Sequence, residues 1–195
     1  MSLESRLGRL RTFYAVAVVV GGVGLALQGA PAAAALLTGL GLFKAWRWWR
    51  PRRLALRALD QAWPDHEGAA LRYQLPPGWG VQRDDATTLL LDAPGVSLQA
   101  FLAERVDRPE LLAASFLDHL DGSVRLRERG PAEGRLLGRE VRGETATIQT
   151  LQEASQVVAL AAVEGDRALV VLTYRELGVP DELVRRLRES VALRA

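Results

Sequence analysis

The stretch VVALAAVEGDRALVVLTY, residues 157–174, reads as two strands folded back on each other. Runs of strand length, rich in apolar and β-branched residues, flank Glu164-Gly165-Asp166, and a Gly-Asp pair between two such runs is the chemistry of a tight hairpin turn. The strands are predicted over Gln156–Glu164 and Ala168–Tyr174. Similar signals recur upstream. Ala70–Leu75 is a short alternating strand stopped by Pro76-Pro77-Gly78. Trp79–Arg83 and Thr87–Asp92 form a hairpin turning at Asp84-Asp85, and Val96–Val106 is a longer strand. Val124–Glu128, Leu136–Glu144 and Thr145–Glu153 are further strands, with Gly130–Gly134 and Gly143 read as turns. Two segments carry the helical period instead. Pro109–Asp121, PELLAASFLDHLD, has Pro109 and Glu110 suited to a first turn, Leu112, Phe116 and Leu120 on one face, and Gly122 as a stop. Pro180–Leu193, PDELVRRLRESVAL, turns Leu183, Val184, Leu187 and Val191 inward. The expected class is α+β: an antiparallel sheet with helices packed on its faces.

The N-terminal region differs in kind. Residues 13–43 carry no formal charge. As one helix they would reach about 46 Å, against a bilayer core of about 30 Å. Gln28-Gly29-Ala30-Pro31 interrupts the run near its middle with a residue suited to a helix end and one suited to a helix start. The favoured expectation is a transmembrane helical hairpin within a membrane anchor at 1–49, with helices at about 11–28 and 32–49. One long tilted span and a shallow or re-entrant insertion stay open. Arg6, Arg9 and Arg11 precede the run, and Lys44, Arg47, Arg50, Arg52 and Arg53 follow it. A hairpin keeps both clusters on the cytoplasmic side, where positive flanks are favoured. Trp46, Arg47, Trp48, Trp49 and Arg50 then form a membrane-interface band of amphipathic rings and headgroup-binding cations. Gly22 with Ala26, and Ala35 with Gly39, suit close packing of two helices. Residues 50–66 are read as an amphipathic linker helix whose apolar residues are Leu54, Leu56, Leu59, Ala62 and Trp63. The α+β domain follows at 67–195, after the break at Pro64-Asp65-His66-Glu67-Gly68.

Charge separates the same two regions. The chain of 195 residues has a net charge of +2. Residues 1–53 hold eight basic groups against Glu4, whereas the remainder is acidic. A domain with acidic excess is poorly suited to neutralising phosphates, so nucleic acid is not expected as a partner. The chain has no cysteine, which excludes disulfides, thiolate metal sites and cysteine nucleophiles.

YQLPPGW at 73–79, a mid-domain helix, the hairpin at 157–174 and a closing helix running into Ser190-Val191 together resemble the PsbP-like (Mog/PsbP) sandwich over about residues 70–195. The resemblance implies an α/β/α sandwich and a role in protein binding and complex assembly rather than catalysis. It supplies no functional residue to carry over.

The residues themselves offer little chemistry. His66 lies in a loop beside Asp65 and Glu67, and His119 follows Asp118 on the first domain helix. Neighbouring helical residues do not face each other, and two separated histidines make a poor ligand set. Asp84-Asp85 reads as turn chemistry rather than a calcium loop. Ser97, Ser115, Ser123, Ser155 and Ser190 lack a nucleophile-elbow context. Gly21-Gly22-Val23-Gly24 lies in the apolar run, not after a strand, so it is no phosphate loop. Arg125, Arg127 and Arg129 are expected on one solvated strand face, and Trp79 is expected to anchor the core. No catalytic residue, cofactor site or metal site is assigned. The expected function is a membrane-anchored, non-catalytic binding or assembly module, with the lipid bilayer and a protein as partners, multi-pass in the cell membrane with its domain in the cytoplasm. The alternatives are an enzyme without a familiar motif and a structural protein oligomerising through its anchor.

Overall fold

Two long strands pair where residues 157–174 place them, and a seven-stranded antiparallel sheet is built around them. The computed structural model describes residues 16–18, 20–21, 30–121, 126–149 and 154–194. In chain order, helix α1 spans Pro31–Leu59, followed by strands β1 (Asp65–Glu67), β2 (Leu71–Gln74), β3 (Gly80–Asp84), β4 (Thr88–Ala93) and β5 (Val96–Glu104). Helix α2 (Pro109–Asp121) precedes β6 (Leu126–Leu136), β7 (Arg139–Gln149), β8 (Ala154–Glu164) and β9 (Arg167–Glu176), and helix α3 (Asp181–Ser190) precedes β10 (Ala192–Leu193). The large sheet runs β3-β4-β5-β9-β8-β7-β6, and a small sheet runs β1-β2-β10. Packing divides the chain into two units, Met1–Leu54 and Ala55–Ala195.

Gly165, at φ 63°, turns β8 into β9 through a two-residue loop, with Glu164 opposite Arg167. Strand β9 alternates between two cores. Leu169 and Val171 face one side with Leu89, Leu98 and Leu160; Val170 and Leu172 face the other with Val157 and Ala159. The first core is closed by Leu183 and Leu187 of α3, Leu71 and Tyr73 of β2, and Ala55, Ala58 and Trp63. The second is closed by α2. Each fully buried leucine contributes about 2 kcal/mol of transfer free energy, so both faces of the sheet must be covered. The result is the expected α+β arrangement of antiparallel strands with helices on both faces.

Two turn expectations change, and so does the buried face of one helix. Gly130–Gly134 is not a turn: β6 runs straight through it, and the chain reverses at Leu137-Gly138, with φ of 52° and 72°. That positive pair is the signature of a type I′ hairpin turn, whose twist matches its flanking strands. Gly143 is likewise inside β7, opposite Leu160. Helix α2 keeps its expected bounds, but its buried ridge is Ala113 and Leu117, with Leu112, Phe116 and Leu120 half-buried beside it. Strand β6 is an edge strand. A bulge between Arg127 and Gly130 and the donor-free Pro131 protect it from adding a foreign strand.

The N-terminal expectation changes too. Helix α1 continues through Pro51 rather than stopping at 49. Among the described residues, no helix is long and apolar enough to cross a membrane. The physical reason is length: the uncharged part of α1 ends before Lys44 and rises only about 20 Å. A two-span hairpin finds no support there. The first expected helix, apart from helical residues at 16–18 and 20–21, and the Gln28-Gly29 part of its turn lie outside the described residues.

The β3–β4 turn is made as the two aspartates suggest. Asp85 Oδ1 accepts from the backbone amides of Thr87 and Thr88 at 2.9 Å each, and Arg83 donates to Oδ2 at 2.5 Å. The Thr87 amide bond, then Arg83, holds the carboxyl down at about 2. A carboxyl depressed on folding adds stability above its unfolded value near 3.9, and that stability is lost as pH falls towards 2. Asp85→Asn should therefore flatten the wild-type loss of melting temperature between about pH 4 and 2. Equal slopes for the two proteins would refute this role.

Candidate functional site

Helix α1 carries the five residues expected at a membrane interface. Trp46 is 54% exposed and Trp49 69% exposed, although both are large aromatic residues. The Arg50 guanidinium lies 5.0 Å from the Trp46 ring centroid, and the Phe43 ring centroid lies 6.1 Å from that of Trp46. Arg47 is exposed on the same helix, and Trp48 lies within it. Leu36, Leu40 and Leu42 of the same helix are also half or more exposed. No acidic residue occurs anywhere between Pro31 and Leu59. A single helix thus goes from exposed apolar side chains to aromatic rings to arginines.

A groove of about 540 Å³ lies where the small sheet meets α3. Pairing of β1 and β2 sets its floor, and His66 stacks on Tyr73 at 5.6 Å between ring centroids. Tyr73 donates to Asp84 Oδ2 at 2.9 Å, and Asp84 Oδ1 also accepts the Ala69 amide. Burial first, then the Asp84 bond, pushes the Tyr73 phenol up to about 12. Asp65, Glu67, Glu182 and Glu189 line the groove with Arg72 and Arg186, so it is polar and acidic in balance. Ser190 Oγ accepts the Gln74 amide at 3.1 Å and donates to the Leu187 carbonyl at 2.7 Å. Its hydroxyl is engaged in tying α3 to β2, not presented to a base. Below the groove, Trp63 donates to the Ala58 carbonyl at 2.7 Å, and Arg186 lies over its ring at 4.3 Å.

The other residues singled out above are used structurally. Arg129 pairs with Asp118 of α2 at 2.5 Å and Glu144 of β7 at 2.6 Å, and this double pairing raises its affinity for its proton. Arg127 and Arg129 do not share a simple strand face, because the bulge with Glu128 at φ 51° lies between them; Arg125 and Ser123 lie outside the described residues. His119 is exposed on α2, and Trp79 packs half-buried against the first core. Among the described residues, no three metal-capable side chains gather. The groove was not legible in the sequence, because it is formed by β1 and β2 with α3, which lies more than a hundred residues further on. The local signal present was the exposed-helix pattern of arginines spaced along α3.

No family model matches the chain, and no curated protein matches it. Solved structures are similar at a distance. The Saccharomyces cerevisiae Ran-binding protein Mog1p is 11% identical, with a TM-score of 0.47, covering 68% of this chain and 96% of its own. A Bacteroides thetaiotaomicron protein is 10% identical, with a TM-score of 0.44; the match covers 64% of this chain and only 45% of that one. LpqN of Mycobacterium tuberculosis, involved in cell envelope biogenesis, is 11% identical, with a TM-score of 0.38, covering 73% of this chain and 97% of its own. At these identities and TM-scores the likenesses assign neither a family nor a function.

Proposed function

We propose that this chain is a non-catalytic binding or assembly module held at an anionic membrane surface, with its folded unit on the cytoplasmic side. The observation that supports it is helix α1, whose exposed Leu36, Leu40, Phe43, Trp46 and Trp49 give way to Lys44, Arg47, Arg50, Arg52 and Arg53 with no acid among them. Such a surface is costly in water. In a leaflet the apolar half enters the hydrocarbon, the indoles sit at headgroup level, and the arginines meet phosphates. The basic flanks favour the cytoplasmic face. The groove in the folded unit is open and charged rather than apolar, which suits a polypeptide surface better than a small apolar ligand.

Vesicle flotation of the full chain tests this reading. Recovery with phosphatidylglycerol-containing vesicles should exceed recovery with neutral phosphatidylcholine. Each of Arg47, Arg50, Arg52 and Arg53 changed to Gln should weaken anionic binding about fivefold. Trp46→Ala with Trp49→Ala should reduce binding to both vesicle types. A full chain that stays in the aqueous fraction with either vesicle sinks the membrane reading.

A further inference from the structure

Arg50 and Arg53 lie three residues apart on α1, and both are exposed. Residues at that spacing are neighbours on a helix surface, with Cβ atoms about 5–6 Å apart. Two like charges so placed repel, and α1 holds nothing to relieve them. No acidic residue occurs between Pro31 and Leu59, and neither arginine joins an ion pair among the described residues. The folded unit treats its arginines differently: Arg83, Arg129, Arg175 and Arg185 each meet a carboxylate. The pair on α1 is a doubly positive surface open to an added anion.

Arg50 is also held in place. Its guanidinium lies over the Trp46 ring, 5.0 Å from the centroid. An aromatic face steadies the cation, while the N–H donors lie in the plane of the guanidinium and stay free for a second partner. Trp46 is itself exposed, so the ring does not carry the cation into the interior.

We propose that Arg50 and Arg53 together receive a lipid phosphomonoester, the headgroup of phosphatidic acid, in preference to lipids whose phosphate is a diester. The inference rests on the membrane reading above and names the headgroup that α1 selects. A phosphomonoester carries about −1.5 to −2 charge at neutral pH and three acceptor oxygens. It neutralises two guanidinium groups and offers oxygens to both forks. A diester carries one charge and two free oxygens, and it lies beneath the rest of its headgroup. The carboxylate of a serine headgroup matches one fork only. A soluble phosphomonoester shares the charge but has no acyl chains, and the exposed Phe43, Trp46 and Trp49 on the same helix favour the lipid.

The test is flotation of the full chain with phosphatidylcholine vesicles carrying phosphatidic acid, phosphatidylglycerol or phosphatidylserine. The anionic fraction is adjusted until the protein-free vesicles share one zeta potential, so that net surface charge no longer distinguishes them. Binding to phosphatidic acid should be about fivefold or more tighter than to the other two. Arg50→Lys with Arg53→Lys keeps the charge and loses both forks. In that variant the ratio between phosphatidic acid and phosphatidylglycerol should fall to about one, with the melting temperature unchanged because both positions are exposed and lysine suits a helix. Glycerol 3-phosphate in excess should leave recovery on phosphatidic acid as it was. Equal recovery on the matched vesicles, a preference that survives the double lysine variant, or displacement by glycerol 3-phosphate overturns the assignment. Equal recovery removes only the headgroup preference and leaves the membrane reading standing. A chain that floats with none of the vesicles removes both.

Discussion

Trp63→Ala is expected to lower the melting temperature of the chain by about 10–20 °C, equivalent to about 3–5 kcal/mol. Trp63 is 6% exposed and belongs to the first core, together with Ala55 and Ala58 from the last turns of α1 and Leu71 and Tyr73 of β2. Truncation removes the indole from that core and leaves a cavity. It also frees the Ala58 carbonyl that Trp63 Nε1 satisfies at 2.7 Å, and strips Arg186 of the ring beneath it. The first loss dominates, because a single hydrogen bond is worth about 1 kcal/mol net and a cation–ring contact about the same. Trp63→Phe separates the terms: it keeps most of the buried ring and should cost only about 1–2 kcal/mol. A domain of this size has about 5–15 kcal/mol in total, so the alanine variant approaches the unfolding threshold. Thermal melts with both variants decide it. A wild-type melting temperature for Trp63→Ala would mean that the end of α1 is no part of the folded unit's core.

The sequence marks Trp63 as apolar but not as central, and that contrast holds across the chain. Features set by neighbours in sequence were legible. Helix α2 starts at Pro109 because its first-turn residues lie within the segment itself. The Asp84-Asp85 turn is legible because the side chain of Asp85 bonds amides two and three residues on. The exposed Trp46, Trp49 and Arg50 of α1 are likewise a matter of local composition. Features set by distant chain were not. Ala113 and Leu117, rather than Leu112 and Phe116, form the ridge of α2 because the sheet beneath selects which part of a broad apolar face goes deepest. The groove depends on α3 meeting β2, and no local pattern encodes that meeting.

Glycine misleads most where it serves space rather than turning, and Gly143 is the clearest instance. It reads as a turn, yet it lies inside β7 opposite Leu160, where an added Cβ would collide with the Ala159 carbonyl oxygen and lie 2.9 Å from Leu160 Cδ2. A carbonyl already committed to a sheet cannot step aside as a flexible side chain can. Gly143→Ala should therefore push β7 and β8 apart and cost about 3 kcal/mol or more, at the upper end of overpacking. Gly130 supplies the control. It also reads as part of a turn, but it sits in β6 with nothing within 4 Å of an added Cβ and without a positive φ. Gly130→Ala should be neutral or stabilise by up to about 1 kcal/mol, since it only restricts the unfolded chain. Chemical denaturation of the two variants beside wild type tests both. A turn at 130–134 would reverse the order, because alanine would then be forced into a conformation that glycine alone adopts readily. Loss of stability in Gly143→Ala with none in Gly130→Ala is the pattern required by two continuous strands reversing at Leu137-Gly138.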